Sequence, residues 1–117
     1  MLLNSRVKRM FLSLYATDFR KGHDGLLAEA YKLGLDVLSG DCVLFLSRDR
    51  RKLKVIFSDA TGLWLWCKKL HRGQNKYKFH FLNDPEYQEI SGGEMNLIFE
   101  GAAFTVHKKL KPWQEQD

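Results

Sequence analysis

The residues with the readiest chemistry in this 117-residue chain are two cysteines, four histidines and fourteen acids. Cys42 and Cys67 sit in separate apolar runs, Cys42-Val43-Leu44-Phe45-Leu46 and Leu65-Trp66-Cys67. Two thiols are too few for a disulfide framework or a four-ligand zinc site, so both read as small buried hydrophobes. His23, His71, His80 and His107 stand without ligand spacing. Asp18, Asp24 and Asp59 are the acids best placed to hold a metal. Each also has a local structural role, with Asp18 as a helix cap, Asp24 as an ion-pair partner of Arg20 and Lys21, and Asp59 in a turn. Two-metal phosphoryl transfer needs several converging carboxylates. The chain has no P-loop, no G-x-S-x-G and no Cys/His nucleophile pair with local support. A non-catalytic protein is expected, with no metal, no cofactor and no small-molecule substrate.

The remaining chemistry is electrostatic. The formal charge is +5, and it is unevenly spread. Residues 48–78 carry ten cations (Arg48, Arg50, Arg51, Lys52, Lys54, Lys68, Lys69, Arg72, Lys76 and Lys78) against only Asp49 and Asp59. Such a surface suits a row of phosphates, because each contact also releases condensed counterions. Arg50 and Arg51 at a hairpin tip suit a DNA groove. Mutating Arg50, Arg51 and Lys54 together is expected to weaken DNA binding and flatten its salt dependence. Arg20 and Lys21, near a helix start, add two further candidate anion contacts. Three readings compete: nucleic-acid contact, protein contact, and a solvated face whose lysines blunt strand edges. Asp84, Glu86, Glu89, Glu94 and Glu100 make the C-terminal part acidic, either as a counterweight or as a second docking face. Trp64 and Trp66 share a strand face with Lys68, which leaves core packing and base stacking both open.

The elements that must position these groups follow from periodicity. Met10 to Tyr15 reads as a first strand. A helix is expected from Asp18 to Leu33, closed by Gly34. Strands follow at Asp41–Ser47, Lys52–Ser58, Leu63–Leu70 and Asn75–Phe81, joined by turns of roughly four residues, which implies an antiparallel meander. The strands over Asp41–Ser47 and Leu63–Leu70 are each apolar on both faces and are expected to be central. Glu89-Ile90 reads as a short edge piece. Ser91 and Glu94 form a capping box opening a second helix from Gly92 to Phe99.

Hydrophobic residues make up 44%, enough for one core and too many for a disordered chain. One domain is expected over residues 1–117, with an ordered core at about 7–106 and a flexible tail at 107–117. No apolar stretch is long enough for a signal sequence or a membrane span, so a cytoplasmic protein without membrane contact is expected.

Four segments in order carry a resemblance. Thr17-Asp18-Phe19-Arg20-Lys21-Gly22 with Asp24-Gly25-Leu26 resembles a T-D-M-R-K-G-x-D-G-L signature. Phe45, Arg48, Arg50, Arg51, Lys54-Val55-Ile56 and Asp59 are similar to an F-x-x-R-R-x-x-x-K-V-L-x-x-D segment. Gly62-Leu63-Trp64-Leu65-Trp66-Cys67-Lys68-Lys69-Leu70 resembles a G-F-x-L-W-x-K-R-L block. Glu94 to Gly101 is similar to a closing leucine-rich helix ending in Glu-Gly. Together they resemble the TnpB, or second-open-reading-frame, family of IS66 insertion sequences, over roughly residues 7–104. His71 stands where that family has Glu, and Tyr15-Ala16 where it often has Gly-Pro. The resemblance implies a bacterial transposition accessory protein acting beside a separate DDE-type transposase, with no catalytic residues to carry over. It is distinct from the much longer RNA-guided nucleases that share the TnpB name.

The combined expectation is an α+β domain: a mostly antiparallel meander sheet, one helix before it and a short one after it. Its expected partners are DNA, through the basic hairpins, and the transposase of the same element. The alternative is an adaptor that docks the transposase without touching DNA.

Overall fold

A computed structural model describes residues 6–79 and 86–100 of the chain. Among these residues, five strands form one sheet: β1 (Arg9–Ser13), β2 (Asp41–Leu46), β3 (Lys52–Ser58), β4 (Leu63–Lys69) and β5 (Tyr87–Ile90), in the order β4-β3-β2-β1-β5. Helix α1 (His23–Lys32) lies between β1 and β2 in sequence, and α2 (Gly92–Glu100) follows β5. The α+β expectation holds. β2, β3 and β4 form the expected antiparallel hairpins, while β1 runs parallel to β2 and antiparallel to β5. A parallel pair needs a long crossover, and α1 supplies it.

The strand pattern sorts side chains onto two faces. Phe11, Val43, Phe45 and Ile56 pack with Leu26 and Ala30 of α1, and with Leu35 and Val37. Leu12, Leu44, Leu46, Leu53, Val55 and Phe57 pack with Met95 and Ile98 of α2. β2 is the middle strand and all six of its residues are buried, which explains its unbroken apolar run. Across the parallel pair, Arg9 forks onto the buried Asp41 carboxylate at 3.0 and 3.1 Å, and the Asp36 N–H donates to the same group at 2.8 Å. Cys42 is buried in the α2-side core, where desolvation pushes its thiol up to about 12.

Several local signals act as read. The Ser91 hydroxyl accepts from Glu94 N–H at 3.1 Å while Glu94 accepts from Ser91 N–H at 2.7 Å, completing the capping box of α2. Gly34, at φ +84°, closes α1, with its N–H on Tyr31 O and that of Leu35 on Ala30 O.

Four expectations need correction. Helix α1 starts at His23 rather than Asp18 and has Gly22 as its N-cap. Residues 18–21 are held otherwise: Asp18 bonds Arg20, and the Lys54 ammonium takes the carbonyls of Phe19 and Lys21, which a helix would need for its own ladder. For the same reason Arg20 and Lys21 do not reach Asp24; Lys21 pairs with Glu29 on the next turns. Residues 75–79 form no strand, and 80–81 lie outside the described residues. There the alternation reflects Tyr77 and Phe79 packing onto the core below β3, with Tyr77 N–H on Arg50 O. Finally, among the described residues β4 is an edge strand, not a central one, and Cys67 on it is exposed rather than buried.

The edge position decides the two tryptophans. Trp66 is half-buried and meets Phe57 edge-on at 5.0 Å. Trp64 is 50% exposed, stacks on Phe57 and donates its indole N–H to Asp59 Oδ2 at 2.7 Å. Asp59 also accepts the backbone N–H groups of Thr61 and Gly62, and these bonds together with the indole hold its carboxyl down at about 2. A depressed carboxyl stabilises the fold above its unfolded value near 4, and that contribution is lost as pH falls through the folded value. The unfolding midpoint is therefore expected to drop between about pH 4 and pH 2. Asp59→Asn should flatten that part of the profile, measured by thermal unfolding across the range.

Candidate nucleic-acid interface

Three loops meet at one end of the sheet because of strand direction. β1 and β2 are parallel, so the loop leaving β1 (residues 14–22) emerges beside the β2–β3 turn. Thr17 N–H bonds Leu46 O at 3.1 Å and fixes that contact. β4 runs antiparallel to β3, so the turn after β4 (residues 71–74) arrives at the same end. Arg51 ties it down, donating to Gln74 O at 3.0 Å and His71 O at 2.9 Å. Arg50 adopts φ +61° in the β2–β3 turn, a conformation favouring glycine, and its guanidinium reaches Leu14 O at 3.4 Å.

Two open hollows line this end. One, of about 490 Å³, is walled by Thr17, Asp18, Phe19 and Arg20 on one side and Ser47, Arg48, Asp49 and Lys52 on the other. The second, of about 710 Å³, is walled by Arg51, Lys69, Leu70, His71, Arg72 and Gly73. Lys52 of the first and Lys69 of the second are register partners across β3 and β4. Leu70 N–H bonds Arg51 O, so Lys52–Lys69 is a pair of the non-hydrogen-bonded kind, in which side chains approach most closely. Like charges directly opposite destabilise a sheet, and an anion between them relieves that repulsion.

The candidate cations divide by what already holds them. Lys54 donates to Phe19 O at 2.8 Å and Lys21 O at 2.9 Å and lies over the Phe19 ring. Lys68 donates to Phe99 O at the end of α2. Arg50 and Arg51 are committed to backbone carbonyls, Arg20 to Asp18, and Lys21 to Glu29. Arg48, Lys69, Arg72, Lys76 and Lys78 make no side-chain hydrogen bond or ion pair among the described residues, and Lys52 has only the longer-range field of Asp49. Of these, Arg48, Lys52, Lys69 and Arg72 gather around the two hollows, while Lys76 and Lys78 are exposed on the segment beyond. Lys54 faces Cys67 and Lys68 faces Leu53, so these two lysines lie on opposite faces of the sheet.

Two acids share the first hollow. Asp18 is held far below the usual carboxylate range by its fork onto Arg20 and by the Arg20 N–H. Asp49 is lowered by the Ser47 hydroxyl and the Arg51 N–H. Among the described residues, no three His, Cys, Asp or Glu side chains gather as a metal would need, and no helix is long and apolar enough to cross a membrane.

Sequence reading singled out most of these cations but missed Thr17 and Ser47 as wall residues and the meeting of the 14–22 loop with the β2–β3 turn. No local pattern could have revealed the parallel pairing behind that meeting. Lys54 acts as a brace for the loop. Lys54→Met keeps the stem but removes both charge-assisted bonds, so a loss of about 2 kcal/mol is expected, with faster amide exchange over residues 17–22. Chemical denaturation and hydrogen exchange check both.

Comparison with curated proteins and with solved structures returned no match. The family model described as IS66 Orf2 like protein matches residues 8–109, a span that takes in both hollows and the loops that build them. The chain therefore belongs to the IS66 Orf2-like family of insertion-sequence accessory proteins.

Proposed function

We propose that this chain binds DNA during transposition of its element, through the basic end of its sheet and without catalysis of its own. The observation that carries the reading is the Lys52–Lys69 pair, flanked by Arg48 and Arg72, where cations without internal hydrogen-bond partners among the described residues surround two open hollows. A row of phosphates satisfies such a group, and the affinity it gives depends steeply on salt. The test is a salt-titrated binding assay on element-end DNA and on random DNA, with and without the transposase. Binding with a steep salt slope supports the reading. Absence of any shift at low salt overturns it.

The second reading is an adaptor that docks the transposase of the same element. Asp18 and Asp49 favour it, because they interleave negative charge with Arg20, Arg48 and Lys52 around the first hollow. Mixed charge suits a protein surface better than a uniform polyanion. Co-purification with the transposase that survives nuclease treatment, combined with no shift of free DNA, would select this reading.

A further inference from the structure

We propose that the outer edge of β4 pairs antiparallel with the same edge of a second copy, joining two five-stranded sheets across a twofold axis at Leu65. The backbone register defines what that edge offers. Asp59 N–H bonds Gly62 O at one end of the β3–β4 hairpin, and Leu70 N–H bonds Arg51 O at the other. Ladder bonds alternate along an antiparallel pair, so Trp64, Trp66 and Lys68 turn their main-chain groups toward β3. Leu63, Leu65, Cys67 and Lys69 turn theirs outward, and no described residue pairs with them.

Side chains then select the partner and the register. With Leu65 opposite Leu65, Leu63 of each copy meets Cys67 of the other, and Trp64 meets Trp66 on the α2 side. About six new main-chain hydrogen bonds form. Lys68 falls opposite Gly62 of the second copy, which has open space where a Cβ would stand. Beyond that glycine lies the Asp59 carboxylate, register partner of Gly62 in the turn. Lys68 of each copy therefore ends near Asp59 of the other, and the lysines of the two copies stand far from each other. Sliding the axis toward Cys67 would instead bring the lysines of the two copies together, so Lys68 and Lys69 block the competing register as edge lysines do. Trp64, half-exposed in the single chain, gains a neighbour in the second copy.

The experiment is analytical ultracentrifugation of the full chain with hydrogen exchange read at two concentrations. The expected result is a dimer whose amides at Leu63, Leu65, Cys67 and Lys69 gain protection as concentration rises. Cys67→Pro removes an N–H that does not serve the β3 ladder, and proline is tolerated at such edge positions. It should retain the circular dichroism of the parent and sediment as a monomer. If that variant fails to fold, Leu63→Cys decides by another route. It places a thiol opposite Cys67 of the second copy and should yield a covalent dimer on mild oxidation. The parent should not, because its two Cys67 residues stand about four residue steps, or about 13 Å, apart. A monomer at every concentration overturns the proposal. So does protection of the four amides that is independent of concentration, which would mean that another part of the same chain covers the edge.

Discussion

Replacing Arg48, Lys52, Lys69 and Arg72 together by alanine is expected to lower DNA affinity by about three orders of magnitude near physiological salt. It should also make the plot of log affinity against log salt shallower by about three to four units. Each phosphate neutralised contributes roughly 0.9 to that slope, and at about 0.15 M salt each is worth close to a factor of five. The fold should tolerate the change. Arg48, Lys69 and Arg72 carry no internal bond among the described residues, and removing Lys52 and Lys69 relieves a like-charge pair. The informative contrast is the triple variant of Arg50, Arg51 and Lys54 that the sequence suggested. Those three cations already bond the carbonyls of Leu14, His71, Gln74, Phe19 and Lys21. Their loss should lower stability more than it flattens the salt slope. If the triple variant loses the slope and the quadruple variant keeps it, the interface lies elsewhere than at the two hollows.

That contrast marks where one sequence stops being legible. Signals that act within a few residues read correctly. The five-residue apolar run Cys42–Leu46 of β2 announced a central strand, Ser91 and Glu94 announced a cap, and Gly34 closed the helix it was assigned to. What failed to read depends on distant parts of the chain. Nothing around Arg9–Ser13 says that it pairs parallel to β2, because a crossover leaves no turn signature. That single pairing brings Phe19 and Lys21 over Lys54 and converts a lysine on a basic strand into a brace. Periodicity also misled where it had two causes. Tyr77 and Phe79 alternate with Lys76 and Lys78 because the core takes one side of an irregular segment, with no strand involved. Cys67 sits in an apolar run yet is exposed, because sheet order leaves β4 at the edge. The first two family segments, Thr17–Leu26 and Phe45–Asp59, supply the two walls of the first hollow, and neither alone predicts that they share it.

The second large effect concerns the middle strand. Leu44→Ala and Phe45→Ala are each expected to remove a substantial fraction of the stability, about 2–5 kcal/mol for the leucine and about 3–5 kcal/mol for the phenylalanine. The two residues are neighbours in β2 but face opposite layers. Leu44 packs with Leu12, Leu53, Val55 and the α2 side chains Met95 and Ile98. Phe45 packs with Phe11, Ile56 and the α1 side chains Leu26 and Ala30. Both are essentially without solvent exposure, so neither site can refill with water cheaply. Each change opens a cavity in a different core, and the sheet between them prevents one from relaxing into the other. In a domain of this size each kcal/mol shifts the melting temperature by roughly 4–8 °C, so either single variant should melt at least ~10 °C lower. The double variant should not fold at room temperature, since the combined loss approaches the whole stability of an ordinary domain. Leu38→Ala is the control, because Leu38 is 51% exposed and its truncation should stay within about 0.5 kcal/mol of the parent. Denaturant unfolding followed by circular dichroism measures all four. A cost below about 1 kcal/mol at Leu44 or at Phe45 would show that one of the two layers does not pack against β2, and with it would go the placement of the loop that builds the first hollow.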